Sequence, residues 1–129
     1  MRFLSIYKTR ETGVPPTAEE MSRMGELVEE MQRAGVLLAT EGCLPSARGA
    51  RVRRAGDGYT VSDGPFTEAK ELVGGFAILQ ASSKEEAIEL TRRFLQVAGD
   101  GECEIRQLYE PGDFGTGGCA EIGELAARG

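Results

Sequence analysis

Four stretches of the chain have the hydrophobic pattern of β-strands. Residues 2–8 and 102–109 alternate between two faces, which is typical of strands with one well-buried side. Residues 36–39 and 74–81 are short, nearly continuous apolar runs, which are typical of buried strands. These patterns predict four strands for the main sheet.

Two other stretches repeat apolar residues every three or four positions, as amphipathic helices do. The first follows the capping box Thr17-Ala18-Glu19-Glu20 and ends at Ala34-Gly35. The second begins at Ser82 or Ser83, where Ser83-Lys84-Glu85-Glu86 is again a capping box, and ends near Gly99. We therefore expect two helices, each burying one face.

An additional hairpin is predicted between the second and third main strands. Residues 51–54 and 59–62 flank a turn at residues 55–58 that contains an Asp-Gly step. The order β-α-β, hairpin, β-α-β predicts an α+β, ferredoxin-like fold with an antiparallel sheet and both helices on one face. The other face has apolar residues and no helix to cover it, so we expect a homodimer whose sheets pack face to face.

The chain is interpreted as one domain over residues 1–110. A glycine-rich tail over residues 111–129 follows, with a possible short helix at 121–128. There is no internal repeat and no interdomain linker.

Composition narrows the range of functions. The hydrophobic fraction of 40% and charged fraction of 28% are those of a soluble protein, and the net charge of −6 disfavours direct binding to nucleic acid or an anionic membrane. No apolar run approaches a membrane span and no secretion signal is recognisable, so cytoplasm is the expected location. Three cysteines without a C-x-x-C pair predict neither a disulfide framework nor a zinc site, and no cofactor is predicted.

The chain contains no histidine. This excludes Ser-His-Asp and Cys-His nucleophile activation, and it removes the commonest general base near neutral pH. Any chemistry would have to use carboxylates, lysine, tyrosine, cysteine or a hard oxygen-bound metal.

The segment of residues 63–71 combines a rigid Asp-Gly-Pro turn with polar side chains beside a core strand. It indicates a cleft between the sheet and the loop of residues 63–70. Asp63 is the candidate catalytic residue, and the candidate ligand-binding residues are Tyr7, Glu41, Phe66, Glu68 and Lys70. The structural alternative is that Asp63 caps its own turn, Phe66 anchors the loop and the other two polar side chains are solvated.

The run Asp63-Gly64-Pro65-Phe66-x-Glu68-x-Lys70-Glu71-x-x-Gly74-Gly75-Phe76 resembles the signature of the DGPF-domain branch of the YCII-related proteins. The resemblance extends over about residues 1–110, and it implies a dimeric α+β barrel of ferredoxin-like subunits. Related YCII proteins carry a His-Asp pair proposed to be catalytic, but the histidine is missing here and Asp63 is the nearest acid of the motif. Some DGPF proteins occur beside extracytoplasmic-function sigma factors, which implies a possible regulatory setting.

Three functions stay open at this point. The first is a small-molecule-binding or regulatory dimer. The second is an enzyme in which Asp63 or Glu41 is desolvated for acid/base chemistry, with Lys70 as its electrostatic partner. The third is a protein-interaction module that binds a sigma factor through the acidic surface or the tail.

Overall fold

A computed structural model describes residues 1–114 of the chain. The predicted terminal helix at 121–128 and Cys119 lie outside the described residues. The elements, in chain order, are β1 (Arg2–Thr9), α1 (Ala18–Arg33), β2 (Leu37–Gly42), a 3₁₀ turn (Ser46–Arg48), β3 (Ala50–Ala55), β4 (Gly58–Asp63), β5 (Leu72–Gln80), α2 (Lys84–Ala98), β6 (Glu102–Gln107) and a second 3₁₀ turn (Pro111–Phe114).

The main sheet has the strand order β2-β5-β1-β6, and every neighbouring pair is antiparallel. Strands β3 and β4 form a separate two-stranded hairpin. The predicted ferredoxin-like α+β fold is confirmed. Strand β6 ends two residues earlier than the pattern predicts, and its last paired residue is Gln107, opposite Phe3.

The N-cap hydrogen bond forms at both predicted capping boxes, whereas the Glu86 carboxylate accepts from Ser82 and not from the Ser83 N–H. The Thr17 hydroxyl accepts a hydrogen bond from the Glu20 backbone N–H at 3.1 Å, and the Ser83 hydroxyl accepts one from the Glu86 N–H at 3.1 Å. Each bond satisfies a helix N-terminal donor that would otherwise have no partner. These local contacts fix where the two helices begin.

The core lies between the two helices and one face of the main sheet. Phe3 of β1 and Leu79 of β5 are paired across the sheet and are 2% and 4% exposed. The helices contribute Leu27 and Met31 of α1 and Ala87 of α2. Both helices therefore cover the sheet face that carries Phe3, Ser5 and Tyr7.

The opposite sheet face is covered by no helix in the part of the chain that the structure describes. It carries an apolar patch, which we call the open face: Leu4, Ile6, Phe76 and Ile78. Phe76 is 36% exposed. The hairpin is more open still, because all residues of β3 and β4 are exposed.

Candidate functional site

A cavity of about 270 Å³ lies between the helix-covered face of the sheet and the two helices. Its walls are mainly apolar and come from both layers of the fold. The principal side chains are Tyr7, Met24, Met31, Leu90 and Phe94. A largely apolar, concave site of this kind is the usual form of a small-molecule pocket.

The side chain of Tyr7 is fixed at the cavity wall by a ring contact, a hydrogen bond and two closely packed glycines. Its ring meets the Phe94 ring edge to face, with the centroids 5.2 Å apart, and its hydroxyl donates to the Asp100 carbonyl at 2.9 Å. Two glycines make room for the ring. A Cβ at Gly74 would lie 3.3 Å from the ring's Cδ2, and one at Gly101 would lie 2.6 Å from its Cε1. The aromatic wall therefore has a fixed orientation.

The glycine pair of β5 helps to create the cavity. Tyr7 pairs with Gly75 whereas Lys8 pairs with Val73, so Gly74 is an extra residue that forms a bulge. Gly74 and Gly75 both border the cavity and have no side chain with which to fill it. A Cβ at Gly75 would lie 2.7 Å from the Glu41 carbonyl oxygen, so a larger residue does not fit there.

Besides Tyr7, three residues with hydroxyl groups border this mainly apolar space. Thr91 donates to the Ala87 carbonyl at 2.8 Å and Thr40 donates to the Phe76 carbonyl at 3.0 Å. The Ser5 hydroxyl hydrogen-bonds with the Cys103 thiol, which lowers the pKa of that thiol, but burial has the larger, opposite effect and raises it. The raised pKa favours the protonated thiol of Cys103, while the hydroxyls retain lone pairs that can accept a hydrogen bond.

The structure places Tyr7 and Glu41 at the same cavity but on different faces of the sheet. Glu41 pairs with Phe76, and Phe76 pairs with Ile6, so all three belong to the open face. Tyr7 belongs to the helix-covered face. Glu41 therefore borders the cavity from the edge strand, and the two side chains do not converge from one wall as the sequence-based cleft required.

The loop of residues 63–70 is anchored at Ser46, which is buried. The two carboxylate oxygens of Glu11 accept hydrogen bonds from the Ser46 backbone N–H at 2.5 Å and from its hydroxyl at 2.8 Å. The Ser46 hydroxyl also accepts from the Phe66 N–H at 3.2 Å. One serine thus joins the loop before α1, the first 3₁₀ turn and the Asp-Gly-Pro-Phe segment.

Phe66 and Glu68 both contact Arg51. The Arg51 guanidinium lies 3.9 Å from the centre of the Phe66 ring, a cation–π arrangement, and it forms an ion pair with Glu68. Phe66 is half-buried, which agrees with its alternative interpretation as an anchor of the loop. These two residues do not border the cavity.

Asp63 and Lys70 are exposed, and neither borders the cavity. Asp63 is the last residue of β4 and pairs with Ala50. Within residues 1–114, neither side chain has a hydrogen-bond or ion-pair partner. The predicted catalytic role of Asp63 and the ligand-binding role of Lys70 stay predictions.

Neither metal binding nor a membrane span finds support among the described residues. No group of three or more histidine, cysteine, aspartate or glutamate side chains in residues 1–114 could hold a metal ion. Of the helices in this range, none has the length and hydrophobicity needed to cross a membrane.

Sequence reasoning missed two sets of residues. The first set is the helix residues of the cavity wall. They repeat every three or four positions, as core-facing helix residues do, and this spacing does not reveal whether the core contains a cavity. Ser46 and Glu11 are 35 positions apart and belong to no motif. No signal in the sequence could have identified their contact.

Replacement of Gly64 by alanine tests the anchored loop. A Cβ at Gly64 would lie 1.7 Å from the Ser46 carbonyl oxygen, a backbone atom that the short turn holds in place. We expect Gly64→Ala to lower the free energy of unfolding by about 2 kcal/mol or more. The control Gly25→Ala has open space around its Cβ and lies in α1, so it should be neutral or stabilising by up to about 1 kcal/mol. Equal stability of the two variants in urea would contradict the tight fit.

The ion pair with Arg51 predicts that Glu68 has a lower pKa than an ordinary glutamate. The hydrogen bond from Arg51 holds the pKa of the Glu68 carboxyl below its ordinary value. Because the folded-state pKa is the lower one, this pairing stabilises the fold above the ordinary glutamate pKa of about 4.3 and is lost as the pH falls. In Arg51→Met the pKa of Glu68 should rise, as measured by carboxyl ¹³C NMR. An unchanged pKa in that variant would show that the pair does not form.

Comparisons with known proteins agree with this architecture. A family model described as the YCII-related domain matches residues 1–112. The uncharacterized protein R00369 of Rhizobium meliloti (strain 1021) is 31% identical over 103 residues, which cover 74% of this chain and 83% of that protein.

A solved structure has a similar fold. It is 5-chloro-2-hydroxyhydroquinone dehydrochlorinase (TftG) from Burkholderia phenoliruptrix AC1100, in complex with 2,5-dihydroxybenzoquinone. It matches with a TM-score of 0.55 and 15% identity, over 85% of this chain and 95% of that chain. At this identity the likeness supports the fold alone. Together with the match of the family model, these observations show that the chain belongs to the YCII-related family.

Proposed function

We propose that the protein binds a small, uncharged aromatic compound in the cavity between the sheet and the helices, and that it does so as a homodimer. The observation that carries the proposal is the cavity itself. Its walls combine an oriented tyrosine–phenylalanine pair with two methionines, Met24 and Met31. Aromatic rings pack well edge to face against other rings, and thioether sulfurs make favourable contacts with ring edges.

The charge of the lining selects for a neutral ligand. Apart from Glu41 at the edge strand, no side chain that is charged at neutral pH borders the cavity. Because the Glu41 side chain belongs to the open face of the sheet, a charged group inside the cavity would lose its hydration without gaining an opposite charge. A hydroxyl group on the ring could donate to Thr40 or Thr91, each of which already donates its own proton to a backbone carbonyl.

The structural neighbour supports a ligand with a single six-membered ring. TftG is described in complex with 2,5-dihydroxybenzoquinone, which is a compact ring compound. Burying roughly 200 Å² of ring surface corresponds to at most about 5 kcal/mol before the cost of immobilising the ligand, so we expect a dissociation constant of about 0.2 mM or weaker.

The homodimer is proposed from the open face. Leu4, Ile6, Phe76 and Ile78 form one apolar surface, and at its border Lys8 forms an ion pair with Glu104 at 3.0 Å. A second copy offers the same surface, so a two-fold contact would bury both patches and leave the charges at the rim. A regulatory role beside a sigma factor and a cytoplasmic location stay predictions.

Filling the cavity should abolish binding. Ala98 borders the cavity, and Ala98→Leu would occupy part of it, whereas Ala18→Leu makes the same change at an exposed position. In a ¹H–¹⁵N NMR titration with phenol, we expect saturable shifts of the Gly74 and Gly75 amides in the wild type and in Ala18→Leu. Ala98→Leu should lose at least tenfold in affinity. The same affinity in all three proteins would place phenol elsewhere.

A charge on the open face should disrupt the dimer. We expect the wild type to have twice the 13.8 kDa chain mass in sedimentation equilibrium, and Ile6→Asp to have the mass of one chain. Val14→Asp introduces the same charge in a loop, at a residue that is 76% exposed, and should stay dimeric. A monomeric wild type would contradict the proposal.

A further inference from the structure

A second concave surface lies beside the loop of residues 63–70, and we call it the arginine groove. Its volume is about 470 Å³, and its main side chains are Leu44, Pro45, Arg48, Phe66, Leu72 and Val73. It shares no lining residue with the cavity between the sheet and the helices. Whatever occupies the groove therefore makes contacts that the proposed function does not include.

The residues that line the groove carry positive charge. Two arginines line it and no acidic residue does. Arg51 is engaged, because it stacks on Phe66 and pairs with Glu68. The Arg48 side chain, in contrast, has no hydrogen-bond or ion-pair partner in the described part of the chain. One guanidinium is thus available to an anion.

The backbone beneath Arg48 is well fixed. Arg48 ends the first 3₁₀ turn, and its N–H donates to the Pro45 carbonyl at 2.9 Å. Glu11 also stabilises this turn, because its carboxylate accepts hydrogen bonds from the backbone N–H and the hydroxyl of Ser46. A residue on a rigid support loses less conformational entropy when it binds a ligand.

The walls of the groove are apolar and accessible. Leu44 is 70% exposed and Val73 is 49% exposed. The half-buried Phe66 and Leu72 are the other large apolar side chains of the wall. An apolar group placed against these residues would be removed from water on one side, which is favourable.

We infer that the arginine groove binds a small organic acid, with its carboxylate on Arg48 and an apolar body against Leu44, Phe66, Leu72 and Val73. The planar guanidinium matches a carboxylate with two parallel hydrogen bonds, which fixes the orientation of the ligand as well as its charge. The apolar walls then distinguish such an acid from a simple hydrated anion. This site stands independently of the cavity, so either proposal can fail alone.

Benzoate is a suitable probe because benzamide and acetate each lack one of its two features. Benzamide keeps the ring but has no charge, and acetate keeps the charge but has no ring. In ¹H–¹⁵N NMR titrations we expect benzoate to shift the Leu72 and Val73 amides saturably. Both other compounds should bind at least about tenfold more weakly, as loss of a charge-assisted hydrogen bond or of the apolar contact implies. Equal affinity for benzoate and benzamide would overturn the proposal.

Two arginine variants separate a specific contact from general attraction. Arg48→Gln should weaken benzoate binding about tenfold or more. Arg53→Gln removes the same charge from the exposed hairpin strand β3, does not line the groove, and should leave the affinity within twofold. If both variants lose affinity equally, the net charge and not Arg48 attracts the ligand, and the proposal is wrong.

Cys43 provides an independent readout because it is an exposed thiol that lines the groove. Bound benzoate should slow its alkylation by iodoacetamide, as followed by mass spectrometry of the Cys43 peptide. The protection should be lost in Arg48→Gln at the same benzoate concentration. An alkylation rate that does not change at saturating benzoate would place the acid outside the groove.

Discussion

The four-stranded sheet has apolar side chains on both faces but only two described helices with which to cover them, and most features of the molecule follow from this constraint. The helices bury the face that carries Phe3, Ser5 and Tyr7. The opposite face keeps Phe76 36% exposed. Burial of apolar surface is the main favourable term in folding, and this uncovered face is therefore the basis of the proposed homodimer. A second copy is the simplest partner, because it carries the same patch.

The helix-covered face is not completely packed, and the cavity on this face is the proposed ligand site. Strand β5 bulges at Gly74 beside Tyr7, and the glycine pair leaves space that larger side chains would fill. Protein interiors are normally packed as densely as organic crystals, and this mainly apolar cavity of about 270 Å³ departs from that packing. The loop of residues 63–70 has a different role. Ser46 and Arg51 hold it in place, and through Phe66 it contributes to the wall of the arginine groove rather than to that of the cavity.

Local signals in the sequence were sufficient to predict where the two helices begin, because the caps at Thr17 and Ser83 act within one helical turn. The element order then led to the correct sheet. The candidate site was harder to predict, since it depends on pairings between distant residues. Glu41 and Tyr7 lie at one cavity but on opposite faces, which follows from the register of β2 with β5. Arg48 becomes distinctive only because Arg51 is engaged by Phe66 and Glu68, and no spacing in the sequence reveals that.

The most direct test of the central claim is a crystal structure of the protein grown with phenol. The account predicts electron density for one ring between the sheet and the helices, packed against Tyr7 and Phe94, with its hydroxyl within hydrogen-bonding distance of Thr40 or Thr91. It also predicts a second copy of the chain on the open face. A cavity that is closed by movement of the Phe94 and Met31 side chains, with phenol absent or bound only at the surface, would contradict the account.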